Sequence, residues 1–433
     1  MAAWCHRNIA ARPRASSFLR YQADNPMKCR HCQTDLSLKF LDLGYAPPSN
    51  DYLSADDLNK PEVTYPLRVL TCTNCWLVQT EDYAAHDDLF REDYAYFSST
   101  SKGWLAHAER YCLQMTQRLG LNEKSFVVEL ASNDGYLLKN FVANGVPCLG
   151  VEPTRSTAEA AKALGIPVVE DFFGAKLGRK LAQEGPKADL ILGNNVYAHV
   201  PDINDFTQGV AELLADEGVV TFEFPHLGQL VKHSQFDTVY HEHFSYLALH
   251  PVISIFKAAG LRVFDVEELP THGGSLRVFG CLSSASHLAT ENVARVMSQE
   301  IEAGLLKEDT YRGFQDRAEK VKNGLLRFLL DAKAEGKTVV GYGAAAKGNT
   351  LLNFCGVGPD LLPFISDAAP SKIGKFMPGS HIPIKAPAAL TAAQPDYVLI
   401  LPWNIADEVM SQNKDLAQNG STFVIAVPEL KFI

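Results

Sequence analysis

Phe126-Val127-Val128-Glu129-Leu130-Ala131-Ser132-Asn133-Asp134-Gly135 changes the pattern of the chain from irregular to alternating. Phe126 to Leu130 reads as a buried strand, Ala131 to Gly135 as a tight turn and Tyr136 to Ala143 as a helix. The alternation then repeats: Cys148 to Pro153 is a second strand that ends in an acid, Ser156 to Leu164 a helix, and Asp189 to Asn194 another strand. Short apolar strands separated by helices predict a parallel α/β sheet with ligands bound at the carboxyl ends of its strands.

Glu152 lies 23 residues after Glu129, close to the spacing at which a Rossmann-type fold sets a carboxylate on a ribose diol. The turn between them has one glycine and polar side chains where a pyrophosphate would need bare backbone amides. The expected ligand therefore has a ribose but no pyrophosphate, and S-adenosylmethionine (SAM) fits that description. The same residues also fit a structural glycine turn beside an ordinary surface glutamate.

Upstream, Cys29-Arg30-His31-Cys32 and Cys72-Thr73-Asn74-Cys75 are two CxxC pairs separated by 39 residues. Each pair sets two thiolates on one tight turn, and two such turns facing each other make a tetrahedral S4 zinc site. Four sulfurs leave no position for an activated water, so the zinc is structural. Unrelated core cysteines do not usually come as two CxxC pairs, and a redox CxxC would need only one of them. Leu67 to Leu70 is the strand expected to lead into the second pair.

The chain has 433 residues, enough for two or three domains. Its longest apolar runs, Val339 to Ala346 and Tyr397 to Trp403, fall well short of the roughly 18 residues of a membrane span. With 40 basic against 50 acidic residues the net charge is -10, which leaves no broad basic face for a phosphate backbone. No membrane and no nucleic-acid partner are therefore expected. Nine cysteines in a chain of this length, four of them paired as CxxC, point to a reducing, cytoplasmic compartment. Residues 1–26 hold Arg7, Arg12, Arg14 and Arg20 with no acid before Asp24, and read as a disordered extension or leader ahead of Met27.

Tyr240-His241-Glu242-His243-Phe244 places four titratable side chains in a row. Strand alternation would put Tyr240 and Glu242 on one side and His241 and His243 on the other, so a histidine joins a carboxylate in one pocket only if the backbone turns there. A metal reading lacks a third ligand, and a polar loop with one satisfied histidine is the plain alternative. His272-Gly273-Gly274-Ser275 lets backbone approach a ligand or makes a simple hairpin turn. Between Met297 and Glu335 a helical period puts Val321, Leu325, Phe328 and Leu329 on one face. Thr338 to Gly343 then forms a strand running into Ala344-Ala345-Ala346-Lys347-Gly348-Asn349, whose small residues and single Lys347 at a helix N-terminus suit a phosphate. Phe364 to Asp367 adds a strand, and the loop after it carries Lys372 and Lys375. A domain serving only as scaffold would show the same pattern.

Together the CxxC pairs, VVELASNDGYLL, GVEPT, GNNVYAHVPD, FDTVYHEHFSYL, THGGSLRVF and GYGAAAKGNTLL resemble the sugar-nucleotide C-methyltransferases of deoxysugar biosynthesis, from Met27 to the C-terminus. The resemblance implies a class I methyltransferase (Rossmann-like) domain at 91–295, flanked by a small zinc-binding domain at 27–90 and a second Rossmann-like α/β domain at 296–433. It implies SAM and a structural zinc as cofactors, and a nucleotide-diphosphate keto-deoxysugar methylated on carbon; a monomer is expected. SAM would be held by Glu129, Asn133 and Gly135 on its methionine side, by Glu152 on its ribose and by Asn195 nearby. Ala131 departs from the first glycine of many class I methyltransferases. By the same resemblance His243 is the base, Glu242 and Tyr240 stabilise the enolate or tune the base, and Tyr96 reaches the site from Tyr94-Ala95-Tyr96, where Tyr94 is its alternate. His272, Gly273, Lys347 and Asn349 are the expected substrate contacts. A methyltransferase for another small metabolite and a zinc-knuckle RNA-binding or RNA-modifying protein are the competing functions.

Overall fold

Three β-sheets organise the computed structural model, which describes residues 27–83 and 97–433. The first sheet pairs β1 (Leu38–Ala46), β2 (Tyr65–Thr71) and β3 (Val78–Thr80) antiparallel. The strand expected at Leu67 to Leu70 lies inside β2, which continues to the residue before Cys72.

The second sheet contains the alternating region. β4 (Val127–Leu130), β5 (Cys148–Val151), β6 (Val168–Val169), β7 (Ala188–Asn194) and β8 (Leu214–Pro225) run parallel. β9 (Ser245–Tyr246) leaves this region and pairs with β3, Val78 opposite Tyr246, so the first sheet takes its fourth strand from the central part of the chain. β10 (Leu261–Leu269) and β11 (Ser275–Leu282) close the order β6-β5-β4-β7-β8-β11-β10, with β11 antiparallel to both neighbours. All four β4 residues are buried, as expected of a parallel strand covered on both faces. Strand order reverses between β4 and β7, and the crevice outside their carboxyl ends is where such sheets bind ligands. The helix expected from Tyr136 begins at Leu138 instead, because the chain is still turning after Gly135, with Tyr136 and Leu137 buried in that turn.

Helices Glu291–Glu302, Glu308–Arg312 and Phe314–Ala334 connect to the third sheet. The last of them buries Val321, Leu325, Phe328 and Leu329, the face that the helical period predicts. Its Phe314 stacks on Phe40 of β1 with ring centroids 4.4 Å apart, a pair worth roughly 0.5–1.5 kcal/mol beyond its buried area. One hydrophobic core thereby joins the first and third sheets. The third sheet holds β12 (Val339–Tyr342), β13 (Ile365–Ser366), β14 (Ile384–Lys385), β15 (Tyr397–Ile400), β16 (Thr422–Ile425) and β17 (Lys431–Phe432), in the order β14-β13-β12-β15-β16-β17. Its first five strands are parallel, and β12 feeds the helix Ala346–Cys355. Among the described residues, no helix is long and apolar enough to cross a membrane.

Candidate active site

A cavity of about 690 Å³ opens at the carboxyl ends of β5, β7 and β8 and is walled by all three parts of the chain. Its first wall is the turn after β4. Ala131 and Asn133 adopt left-handed backbone, φ 53° and 50°, which costs a non-glycine residue roughly 1–2 kcal/mol. The sharp turn brings the Asn133 amide to Glu152 Oε2 at 2.9 Å, while Thr154 N and Thr157 Oγ1 donate to Oε1 at 2.9 and 3.0 Å. Ala131 stands on the cavity wall in the conformation that glycine would favour. Three carboxylates, Glu129, Asp134 and Glu152, are buried around this turn. Burial first, and then the charges of Glu152 and Asp134, push the Glu129 carboxyl well above its usual range. Burial also raises Glu152, against the pull of its amide and hydroxyl donors.

This wall fits SAM. A cation with a ribose and an amino-acid tail needs carboxylates and amide groups, and the site supplies both. Glu129 Oε2, both ends of the Asn194 amide and Asn195 Oδ1 are buried without a partner among the described residues. Asn194 and Asn195 line the cavity.

The second wall is the Tyr240–His243 segment, where the backbone does turn, the His243 amide donating to the Tyr240 carbonyl at 3.0 Å. Tyr240, Glu242 and His243 face the cavity together. His241 points away, its Nε2 3.2 Å from the Pro66 carbonyl and its ring edge-on to Tyr65. Strand alternation is thus replaced by a turn, which sends the two histidine rings to different surroundings. His243 Nδ1 lies 3.0 Å from the Thr238 carbonyl, which can only accept, so Nδ1 carries the hydrogen and Nε2 keeps its lone pair. The Tyr240 hydroxyl donates to that lone pair at 2.7 Å. Burial, then the neighbouring His199, hold the His243 pKa well below the ordinary histidine value. The His199 ring stands 4.5 Å from that of His243, and burial lowers His199 to about 4.

The third wall comes from the C-terminal region. Ala345, Ala346 and Lys347 line the cavity at the start of the helix Ala346–Cys355, with Lys372 and Asn404 beside them. Lys347 Nζ donates to Asn404 Oδ1 at 2.6 Å and lies 4.6 Å over the Trp403 ring. Burial lowers the pKa of both lysines, and nearby Asp237 and Asp367 respectively oppose that shift. His272 completes the wall at φ 54°, its Nε2 2.9 Å from Asn195 Nδ2.

Of the residues expected at the site, Asn133, Glu152, Asn195, Tyr240, Glu242, His243, His272 and Lys347 line this cavity. Glu129 lies behind the wall, in β4. Gly135 does not touch the cavity; its φ is 76° and a Cβ there would meet Ile166 at 2.4 Å, so packing requires the glycine. Gly273, at φ 89°, is needed where Trp403 packs on its turn, 2.5 Å from where a Cβ would stand. Asn349 is buried and donates to the Ser49 carbonyl at 2.5 Å, away from the cavity. Tyr94 and Tyr96 lie outside the described residues; the amide of Ser98, on the cavity wall, donates to Asn133 Oδ1 at 2.9 Å. Sequence reasoning did not single out Asn50, Trp104, His199 or Asn404. His199 stands in the GNNVYAHVPD motif and was within reach there; Asn50 carries no local signal.

The metal site is separate. Cys29, Cys32, Cys72 and Cys75 form the one cluster of potential metal ligands among the described residues, their sulfurs all within 4.8 Å of one another. Cys29–Cys75 and Cys32–Cys72 are 3.5 Å apart; sulfurs about 2.3 Å from a zinc in a tetrahedron stand about 3.8 Å apart, so the set fits zinc. The Asn74 and Cys75 amides point at Cys72 Sγ at 3.4 and 3.5 Å, as in a knuckle turn. The first knuckle also docks on the methyltransferase region: Arg30 Nη1 donates to the Pro201 carbonyl, and His31 bonds Asn204 and Ser254 at 2.8 and 3.0 Å.

Family profiles match three consecutive stretches: a zinc binding domain over 29–90, a methyltransferase domain over 104–266 and a C-methyltransferase C-terminal domain over 270–428. The C-methyltransferase NovU of Streptomyces niveus is 37% identical over 406 residues, 94% of this chain and 96% of that protein. Among solved structures, the magnesium protoporphyrin IX methyltransferase of Synechocystis is similar over 42% of this chain and 80% of its own, at 12% identity and a TM-score of 0.33. A SAM-dependent methyltransferase of Anabaena variabilis is similar over 41% and 86%, at 15% identity and a TM-score of 0.34. With its class I α/β sheet, its four-cysteine zinc site and this likeness over nearly its whole length, the chain is a SAM-dependent enzyme that belongs to the C-methyltransferase family.

Proposed function

We propose that this enzyme methylates a carbon beside the ketone of a nucleotide-diphosphate keto-deoxysugar, with His243 as the base. The observation that carries the reading is the convergence of three walls on one cavity: the carboxylate and amide turn for SAM, the lone pair of His243 Nε2, and half-buried Lys347 at a helix N-terminus with half-buried Lys372 beside it. The reading makes the substrate a small molecule with an anionic part, and it goes with a cytoplasmic protein and a monomer.

Bound against Asn133, Glu152 and Asn195, SAM supplies an electrophilic methyl group. The chain's own residues prepare the carbon that takes it. His243 Nε2 removes the proton from the carbon beside the ketone, and the C–H electron pair moves onto the carbonyl as an enolate. The Tyr240 hydroxyl, which caps Nε2 at 2.7 Å, turns its donor to the enolate oxygen as Nε2 takes the carbon-bound proton. Glu242 balances the charge of the imidazolium that results. His243 then releases its proton to solvent. Lys347, Lys372 and the free amides of the helix start hold the diphosphate, while Gly273 and Asn349 support the wall from behind.

Two expectations follow from the geometry. Glu152→Ala removes a carboxylate that would accept ribose hydroxyls and that already ties Asn133 to Thr154, charge-assisted bonds each worth roughly 1.5–3 kcal/mol. Calorimetry should give SAM binding at least about tenfold weaker, and an unchanged affinity would contradict the placement of the ribose. For pH, a base is active when neutral, and burial lowers the pKa of His243. The plateau of kcat should therefore extend below about 6.5, where an unperturbed histidine would lose half its activity; a rate already halved at that pH would count against His243. The substrate itself is tested by incubating the enzyme with methyl-labelled SAM and 4-keto-6-deoxyhexoses carried on thymidine, uridine, cytidine or guanosine diphosphate. Label should appear as a carbon-bound methyl beside the ketone of one of them, and no transfer to any would overturn the assignment.

A further inference from the structure

The loop 47–53, which leaves β1 of the zinc-binding region, runs between the catalytic segment and the helix Ala346–Cys355. Asn50 Nδ2 donates to both carboxylate oxygens of Glu242, at 2.8 and 2.9 Å, across 192 residues of sequence. On the other side, the Ser49 carbonyl accepts from Asn349 Nδ2 at 2.5 Å and the Tyr52 hydroxyl donates to the Ala344 carbonyl at 2.6 Å. Leu53 and Phe376 exchange backbone bonds of 3.0 and 2.8 Å, which pins the end of the loop to the C-terminal region. Asn50 itself stands on the cavity wall beside a glutamate that is only 2% exposed.

We propose that Asn50 is a positioning residue for methyl transfer, fixing the Glu242 carboxylate in the cavity and linking its placement to the closure of the C-terminal wall. A buried carboxylate is stabilised in its ionised form by donors, and an amide supplies them without adding a charge that would compete with the substrate diphosphate. A second carboxylate at this position would instead press against Glu242 and force the pair to share a proton. The inference explains why the zinc-binding region reaches the site: it delivers the loop that carries Asn50. It rests on the reading of Glu242 as part of the reacting site.

The test is a double-mutant cycle on the full-length enzyme, using the keto-deoxysugar nucleotide turned over best in the panel. Asn50→Asp, of nearly the same shape, should lower kcat at least tenfold, with KM for the sugar nucleotide and the Kd of SAM within threefold of wild type. Asn50→Ser, which is smaller and uncharged, should lower kcat less than Asn50→Asp, and it keeps the cycle readable if the aspartate variant folds poorly. In a Glu242→Gln background, Asn50→Asp should cost no further rate, because it acts through the missing carboxylate. Wild-type kcat in Asn50→Asp, or an equal loss from Asn50→Asp in both backgrounds, would overturn the inference. A wild-type kcat in Glu242→Gln would instead remove Glu242 from the reacting site, and that failure is distinct from a failure of Asn50.

Discussion

His243→Asn should lose roughly 10²- to 10⁴-fold in kcat while binding SAM and the sugar nucleotide as the wild type does. Asparagine keeps a polar group of similar reach and can still bond the Thr238 carbonyl, which His243 Nδ1 meets at 3.0 Å. It has no basic nitrogen to replace Nε2. The loss therefore belongs to proton removal, and KM should move little. His241→Asn is the internal control, because that ring is held by Pro66 and Tyr65 outside the cavity; its kcat should stay within a few-fold of wild type. An equal loss in the two variants would mean that the segment is being disturbed as a whole.

Cys72→Ser should abolish zinc binding, which metal analysis of wild type prepared under reducing conditions should report as one ion per chain. Structural zinc is worth about 10–16 kcal/mol in small zinc domains at neutral pH, so the first sheet should loosen and residues 27–83 should become open to protease. SAM affinity should be largely retained, since the residues proposed to hold SAM stand at the ends of β4, β5 and β7. Catalysis should fall further than SAM binding, for two structural reasons. β3, six residues after Cys72 in the chain, pairs with β9, which directly follows the Tyr240–Phe244 segment. The same region also delivers Asn50 to Glu242. A wild-type sample without zinc, or a Cys72→Ser enzyme with unaltered metal content, would contradict the site.

Much of this molecule is legible in its sequence where the signal is local. β4 and β5 are apolar because parallel strands are covered on both faces, and their spacing to Glu152 follows from a strand-turn-helix unit of ordinary length. The zinc ligands are legible because two knuckles suffice to define a tetrahedron. What escapes is non-local. Two residues, Ser245 and Tyr246, are too few to show a period, so nothing in them reports pairing with β3. Asn50 meets Glu242 only after three regions pack together. Gly135 and Gly273 look like ligand-facing glycines, but they answer to Ile166 and Trp403, partners that the sequence does not name. The segment 240–244 is ambiguous for a physical reason: alternation would keep His241 and His243 on one face, whereas a turn separates them, and the His243 amide bond to the Tyr240 carbonyl shows that the turn forms.

Proton removal separated from methyl transfer is the most direct test of the account. In deuterated water, with the keto-deoxysugar nucleotide and without SAM, the wild-type enzyme should wash deuterium into the carbon beside the ketone, as followed by proton NMR. His243→Asn should not, and His241→Asn should exchange nearly as fast as wild type. Exchange by His243→Asn at the wild-type rate, with loss in His241→Asn or Tyr96→Phe instead, would contradict the account and move the base to that residue.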